Sequence, residues 1–235
     1  MSRVFRTRHR FWSPLAALGA ALAVSACSGP FSALDPAGPA ARDLAAVWWV
    51  MIAGSAVILS GVLGLIGYAF LNRDGLRDVP DRVWLIGGGV GFPMVVLTAL
   101  LAWALPTGES MTGARGEVYE VQAEAYQWGW RFSYPDGAPG ETGSEAGVLY
   151  IPAGEPVDVA VTAVDVIHAF WIPRLAGKID AIPGQTTHLR IQADEPGEYR
   201  GQCAEFCGLG HAGMNFMVVA YAPGDTGAAG EGDER

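Results

Sequence analysis

Two long uncharged stretches limit what this chain can fold into more than any other feature of its sequence. They occupy residues 44–71 and 83–105, and each is longer than the roughly 20 apolar residues that a helix needs to cross a bilayer. We therefore predict a hairpin of two transmembrane helices with these limits. Residues 72–82 form the loop between them.

The charges that flank the two stretches predict their orientation. Loops on the cytoplasmic side of a membrane carry an excess of Lys and Arg. The loop contains Arg73, Arg77 and Arg82, whereas the outer flanks contain Arg42 and Arg115. The loop is therefore expected in the cytoplasm. The chain that follows the second helix is expected at the periplasmic, outer face of a bacterial plasma membrane.

The N-terminus is typical of an export signal at residues 1–26. A start with several arginines precedes an apolar stretch at 15–24, which is too short to span a bilayer. Cys27 then has the position of the lipid-modified residue of a bacterial lipoprotein. In the alternative, an ordinary signal is cleaved near Ala26 and Cys27 has no role. Residues 27–43 form an outer segment in either case.

After the second helix the pattern changes to short strands separated by turns. Residues 157–163 and 186–191 alternate between apolar and polar side chains, and Pro-Gly at 183–184 marks a turn. Half-buried, antiparallel strands of this kind predict an all-β sandwich or Greek-key barrel over residues 112–222. Residues 223–235 lack apolar content and are predicted to be disordered.

One loop of this β domain concentrates soft metal ligands. It reads GQCAEFCGLGHAGM at residues 201–214 and contains Cys203, Cys207, His211 and Met214. Thiolate and thioether select Cu(I), zinc or iron–sulfur, and imidazole suits copper and zinc. The Met favours copper, because zinc uses Cys, His or carboxylate ligands. A disulfide in an exported protein and a zinc site are the simpler alternatives, but the disulfide leaves His211 and Met214 unexplained.

Further segments complete a family resemblance. They are DVIHAFW at 165–171, QWGW at 127–130 and KIDAIPG at 178–184. Together with the loop and the two apolar stretches, they make the chain similar to subunit II of the heme-copper cytochrome c oxidases, over nearly all of the mature chain. The resemblance implies a cupredoxin-like Greek-key fold for the β domain and a binuclear copper A centre within it.

The copper centre can also be checked by its chemistry. The two thiolates can each bridge two copper ions, His168 and His211 can each cap one copper, and Met214 can supply a weak axial ligand. A mononuclear blue-copper site needs only one Cys, so the second thiol would be left over. The resemblance adds Glu205, whose backbone carbonyl is the other weak copper ligand. Its side chain reaches a magnesium ion that is shared with subunit I.

The resemblance also implies a function. Subunit II of a cytochrome c oxidase takes single electrons from cytochrome c and passes them to heme a in subunit I, where oxygen is reduced to water and protons are pumped. The oxygen-reducing site lies in subunit I, so no catalytic residue is assigned here. Subunit III and membrane lipid are further expected partners.

By the same resemblance, Trp128 is where electrons enter and Asp165 belongs to an acidic surface on which cytochrome c docks. Val164 stands where many relatives carry a second acid. For Trp130 we prefer packing in the core. The net charge of −9 argues against nucleic-acid binding and suits a basic protein partner.

Two other membrane proteins are the main alternatives. Membrane-anchored copper chaperones of oxidase assembly also carry Cys-x3-Cys, but their metal-binding His lies downstream of the cysteine pair, whereas His168 lies upstream. Quinol oxidases have a similar subunit II that lacks the copper ligands. The presence of all five ligand side chains here argues against a quinol oxidase.

Overall fold

The computed structural model describes residues 28–72, 75–76, 79–112, 118–134 and 147–222. These residues form two long helices followed by a sandwich of two β-sheets. The predicted architecture of a helical pair and an all-β, cupredoxin-like domain is therefore confirmed.

Several predicted features lie outside the described residues. They are the export signal at 1–26, Cys27, two arginines of the loop (Arg73 and Arg77) and the tail at 223–235.

The first helix, α1, comprises Pro39–Leu71. It therefore begins before the uncharged stretch at 44–71. Pro39 suits the first turn of the helix. Backbone N–H groups there have no acceptor within the helix, so the missing N–H of proline costs no hydrogen bond. The second helix begins as a π-helical segment, Val83–Gly91, and continues as α2, Phe92–Thr112. Both helices are long and apolar enough to cross a membrane, with mean hydropathies of 2.2 and 2.0 in their most apolar windows.

The β domain contains nine described strands in two sheets. The strands are β1 (Tyr119–Tyr126), β2 (Gly129–Ser133), β3 (Val148–Pro152), β4 (Val157–Ala163), β5 (His168–Trp171), β6 (Lys178–Ala181), β7 (Thr187–Ile191), β8 (Gly197–Cys203) and β9 (Asn215–Tyr221). The first sheet has the order β2-β1-β4-β7 and the second has the order β3-β9-β8-β5-β6.

The direction of pairing differs from the prediction at two places. β1 lies parallel to β4, and β3 lies parallel to β9, whereas the other neighbours are antiparallel. The two strands predicted from alternation, β4 and β7, are antiparallel to each other as expected, but the two parallel pairs were not predicted. Alternation of apolar and polar residues predicts which face of a strand is buried, but it does not specify the direction of the neighbouring strand.

Strand β4 is buried on both faces, although it was predicted to be half-buried. Its inward residues Val157, Val159 and Val161 are fully buried. On the opposite face, the carboxylate of Asp158 accepts two hydrogen bonds of 2.7 Å from Arg190 on β7. This bidentate pair explains how a charged side chain with 7% exposure is tolerated in the sheet.

Aromatic rings fill the space between the sheets below the ligand loop. Trp130, Phe170 and Phe216 lie within 5.4 Å of one another, measured between ring centroids. Trp130 is fully buried, so the core-packing interpretation of this residue is confirmed. Its ring also lies edge-on to the imidazole of His168, at 6.4 Å.

The β domain is joined to the start of α1 by backbone hydrogen bonds. Ala37 N donates to Arg174 O at 2.7 Å, and Ala41 N donates to Leu175 O at 3.2 Å. Arg42 also forms an ion pair with Asp194. A Cβ at Gly38 would collide with the carbonyl of Gln192, so the close approach of these segments requires glycine here.

Candidate metal centre

The predicted ligands come from two strands and the loop between β8 and β9. His168 is the first residue of β5 and Cys203 is the last residue of β8. Cys207 lies in the loop, His211 begins a short 3-10 turn (His211–Gly213), and Met214 follows directly. Cys203 N donates to Met214 O at 2.9 Å, and this bond closes the base of the loop.

The structure brings all five ligand side chains together. Cys203 Sγ lies 3.9 Å from Cys207 Sγ and 3.8 Å from His168 Nδ1. Cys207 Sγ lies 3.7 Å from His211 Nδ1 and 3.7 Å from Met214 Sδ. Each thiol therefore has its own imidazole, and the two halves of the site meet at the sulfur atoms.

A weaker donor also lies beside each thiol. The backbone carbonyl of Glu205 lies 3.2 Å from Cys203 Sγ, and the Met214 thioether lies 3.7 Å from Cys207 Sγ. The site thus contains two thiols, two imidazoles and two weaker donors close together. These are soft and borderline ligands of the kind that copper prefers.

The site is buried, and burial disfavours charged thiolates there. His168, Cys203, Cys207 and Met214 are all buried, and His211 is half-buried. Desolvation, and next the nearby Cys203, raise the pKa of Cys207 to about 11. The thiolates that metal ligation needs are therefore stable only with a cation beside them, and metal binding releases protons.

The distances fit metal ligation better than a disulfide. A disulfide requires sulfur atoms about 2.05 Å apart, whereas Cys203 and Cys207 are free thiols 3.9 Å apart. With a metal–sulfur bond of about 2.3 Å, one ion can contact both sulfurs across this gap. The ligand atoms of His168, Cys203 and Cys207 all lie within 4.8 Å of one another. The thioether of Met214 makes this set softer than zinc prefers.

Asp165 has a role here that the sequence reasoning missed. Its carboxylate lies 2.8 Å from His168 Nε2 and accepts hydrogen bonds of 2.7 Å from the backbone N–H groups of Gln127 and Val166. Desolvation raises its pKa, but the hydrogen bonds from His168, Val166 and Gln127 outweigh this and hold it below the usual 3.8. Asp165 thus orients the His168 ring so that Nδ1 faces the thiols. In the sequence, its position three residues before the ligand His168 could have indicated this role.

Trp128 lies against the ligand loop. Its indole N–H donates to the carbonyl of Cys207 at 3.3 Å, and the side chain of Gln127 donates to the same oxygen at 2.6 Å. A Cβ at Gly210 would collide with the indole ring, so this ring is packed directly on the loop. Trp128 is nevertheless 44% exposed, so it connects the surface with the site.

Glu205 lines a surface cavity of about 570 Å³ beside the site. The cavity is also lined by Asp180, Val166, Ile167 and Phe206. Both carboxylates are exposed. Carboxylate oxygens are the ligands that magnesium prefers, so these two residues could hold such an ion with help from a partner.

Comparison with known proteins identifies the family. The family of the periplasmic domain of cytochrome c oxidase subunit II matches residues 141–221. Cytochrome c oxidase subunit 2 of Alkalihalophilus pseudofirmus is 32% identical, over 98% of this chain and 70% of that protein. The corresponding protein of Synechocystis sp. is 44% identical, over 44% of this chain and 30% of its own length.

Relatives of a second kind also match. Quinol oxidase subunit 2 of Bacillus cereus is 30% identical, over 89% of this chain and 76% of that protein. Both kinds are oxidase subunits, which favours an oxidase subunit over a copper chaperone. The chain belongs to the subunit II family of the heme-copper oxidases.

Proposed function

We propose that this subunit accepts single electrons from cytochrome c at a pair of copper ions and passes them to heme a in subunit I, for the reduction of oxygen to water with proton pumping. The observation that carries the proposal is the meeting of two thiols, each with its own imidazole and weak donor. Some relatives are quinol oxidase subunits. The complete set of soft ligands favours the cytochrome c type.

The two coppers would be held by the thiolates of Cys203 and Cys207, the imidazoles of His168 and His211, the Met214 thioether and the Glu205 carbonyl. When bound, the copper pair would supply a one-electron carrier whose charge change is spread over both metals. The protein holds the ligands on β5, β8 and the closed loop, so they need to move little when the charge changes.

Trp128 is the proposed point at which electrons reach the site. An electron on its exposed ring is one hydrogen bond from the carbonyl of Cys207. From that carbonyl, the covalent path to the sulfur stays within one residue. The route therefore leads from the surface to a ligand without crossing open space.

The same proposal includes the surroundings of the site. Glu205 would hold a magnesium ion at the border with subunit I, and Asp180 lines the same cavity. Subunit III is a further proposed neighbour. We propose that α1 and α2 both cross the plasma membrane and that the β domain faces outward. Cys27 would carry the lipid of a processed lipoprotein.

The test is the metal content of the purified full-length protein. We expect two coppers per chain and an EPR spectrum in which one electron is shared between two copper nuclei. Cys203→Ser should abolish the shared-electron spectrum, while Ala212→Ser, at an exposed position of the same loop, should leave it unchanged. Binding of a single copper, or of zinc alone, would contradict the proposal.

A further inference from the structure

A groove of about 360 Å³ lies between the two helices, at the end of the pair that adjoins the β domain. It is lined by Asp43 and Ala46 of α1 and by five residues of α2 between positions 102 and 110. Asp43 directly precedes the first uncharged stretch, and the α2 residues lie at the end of the second. When both helices cross a bilayer, the groove therefore lies at the level of the lipid headgroups.

The groove offers several hydrogen-bond acceptors. The carboxylate of Asp43 is exposed there, and the neighbouring Arg42 is paired with Asp194 instead. Thr107 Oγ1 donates to the carbonyl of Trp103 at 3.2 Å, and Ser110 Oγ donates to the carbonyl of Thr107 at 2.7 Å. Each hydroxyl uses its one hydrogen on the helix backbone, so its oxygen remains available as an acceptor.

A proline adds a further acceptor to the same wall. Pro106 lies inside α2 and has no N–H for the carbonyl of Ala102, four residues earlier. Both residues line the groove. At membrane depth, a carbonyl that lacks its usual helical donor has to find another partner. A ligand with N–H groups that enters the groove would supply one.

Trp103 supplies the aromatic surface of the groove. Its side chain is 40% exposed, and Trp is common at the boundary between membrane and water. An indole ring attracts a cation to its face, and its N–H can donate to an anionic oxygen. The groove thus combines a carboxylate, neutral acceptors and one aromatic donor.

We propose that this groove binds the headgroup of a phospholipid that carries a primary ammonium group, as phosphatidylethanolamine does. The ammonium would donate to the Asp43 carboxylate and the Ala102 carbonyl, and the phosphate would accept from Trp103. A choline headgroup has no N–H to donate, and a glycerol headgroup has no positive charge. This inference goes beyond electron transfer and rests only on the proposed crossing of the membrane by α1 and α2.

The experiment measures lipid binding to the full-length protein in detergent by native mass spectrometry. The probes are phosphatidylethanolamine, phosphatidylcholine and phosphatidylglycerol with identical acyl chains. We expect one tightly bound phosphatidylethanolamine, with an affinity about fivefold above that of the other two lipids, which is the upper range for an exposed ion pair. Asp43→Asn should remove this preference, and Trp103→Leu should lower the affinity about threefold.

Matched variants outside the groove serve as controls. Glu109→Gln removes a carboxylate at the same level of α2, and Trp49→Leu removes a 51% exposed indole from α1; neither residue lines the groove. Both variants should bind phosphatidylethanolamine as the wild type does. Equal binding of the three lipids, or an unchanged preference in Asp43→Asn, refutes the proposal.

Two further measurements identify the source of the ammonium group and the cause of a failure. If free phosphoethanolamine binds as tightly as the lipid, the groove is a site for a soluble amine, and the lipid assignment is refuted. Alkaline carbonate extraction tests the membrane placement. Release of the protein from membranes refutes the proposed crossing by α1 and α2, whereas retention without a lipid preference refutes only the headgroup site.

Discussion

Removal of the Asp165 carboxylate should loosen the metal site while leaving all five ligands in the chain. The bond to His168 is the costly one to lose, because the imidazole is fully buried and water cannot readily replace the carboxylate. The bonds to Gln127 and Val166 are exposed, and water can replace them. A hydrogen bond to a charged group contributes about 1.5–3 kcal/mol. We therefore expect Asp165→Ala to weaken copper binding roughly 10- to 100-fold.

The assay is competition for copper between the purified protein and a chelator of known affinity. Asp165→Asn keeps one acceptor oxygen but loses the charge, so its loss of affinity should be smaller than that of Asp165→Ala. Glu124→Ala is the matched control, because it removes a partly exposed carboxylate whose partner is Arg131 on the neighbouring strand. A surface pair of this kind contributes at most about 1 kcal/mol, and it does not contact the site.

A different result would refute the reasoning. If Asp165→Ala binds copper as tightly as the wild type, the carboxylate does not position His168. If Asp165→Ala binds copper normally but is reduced more slowly by cytochrome c, and only at low salt, then Asp165 belongs to an acidic docking surface as the resemblance implies.

Three further predictions concern the metal site and the β domain around it. Met214→Leu should retain both coppers but shift the reduction potential, because a weak axial donor is replaced by an apolar group of similar size; complete loss of copper would contradict this. Gly210→Ala should lower copper retention, since the new methyl group collides with Trp128, whereas Gly213→Ala meets nothing within 4 Å and should be neutral. Burial raises the pKa of Tyr134 to about 12, so its phenol should ionise far above the usual pH of about 10. The phenol's contribution to folding is then lost as the pH rises from about 10 to about 12, and ultraviolet titration against Tyr134→Phe measures the ionisation.

The ligand set could be predicted from sequence because soft side chains are rare and their spacing is short. Cys203, Cys207, His211 and Met214 lie in one loop, which can bring them together without any long-range information. His168 is 35 residues away from Cys203, and its prediction rests on the need for a second imidazole from another segment, together with the resemblance. The structure places it beside Cys203 because β5 and β8 are neighbours in the second sheet.

The contacts that support the ligands were not predictable in the same way. The bond between Asp165 and His168 depends on the path of a short loop, and the bond between Trp128 and Cys207 depends on how two distant turns meet. The parallel pairing of β1 with β4 depends on the order of strands in the sheet. The alternation of apolar and polar residues along a strand determines neither these two hydrogen bonds nor this strand pairing.

The join between the helices and the β domain bears on electron transfer. The start of α1 is bonded to Arg174 and Leu175, which lie just after β5, and His168 is the first residue of that four-residue strand. His168 lies seven residues before Leu175, so the chain between the ligand and the attachment to α1 can span at most about 25 Å. The distance between the site and α1 is therefore limited by this short segment and its bonds to α1. An electron relay to a membrane-embedded acceptor requires such a fixed distance, and a β domain on a flexible tether would not provide it.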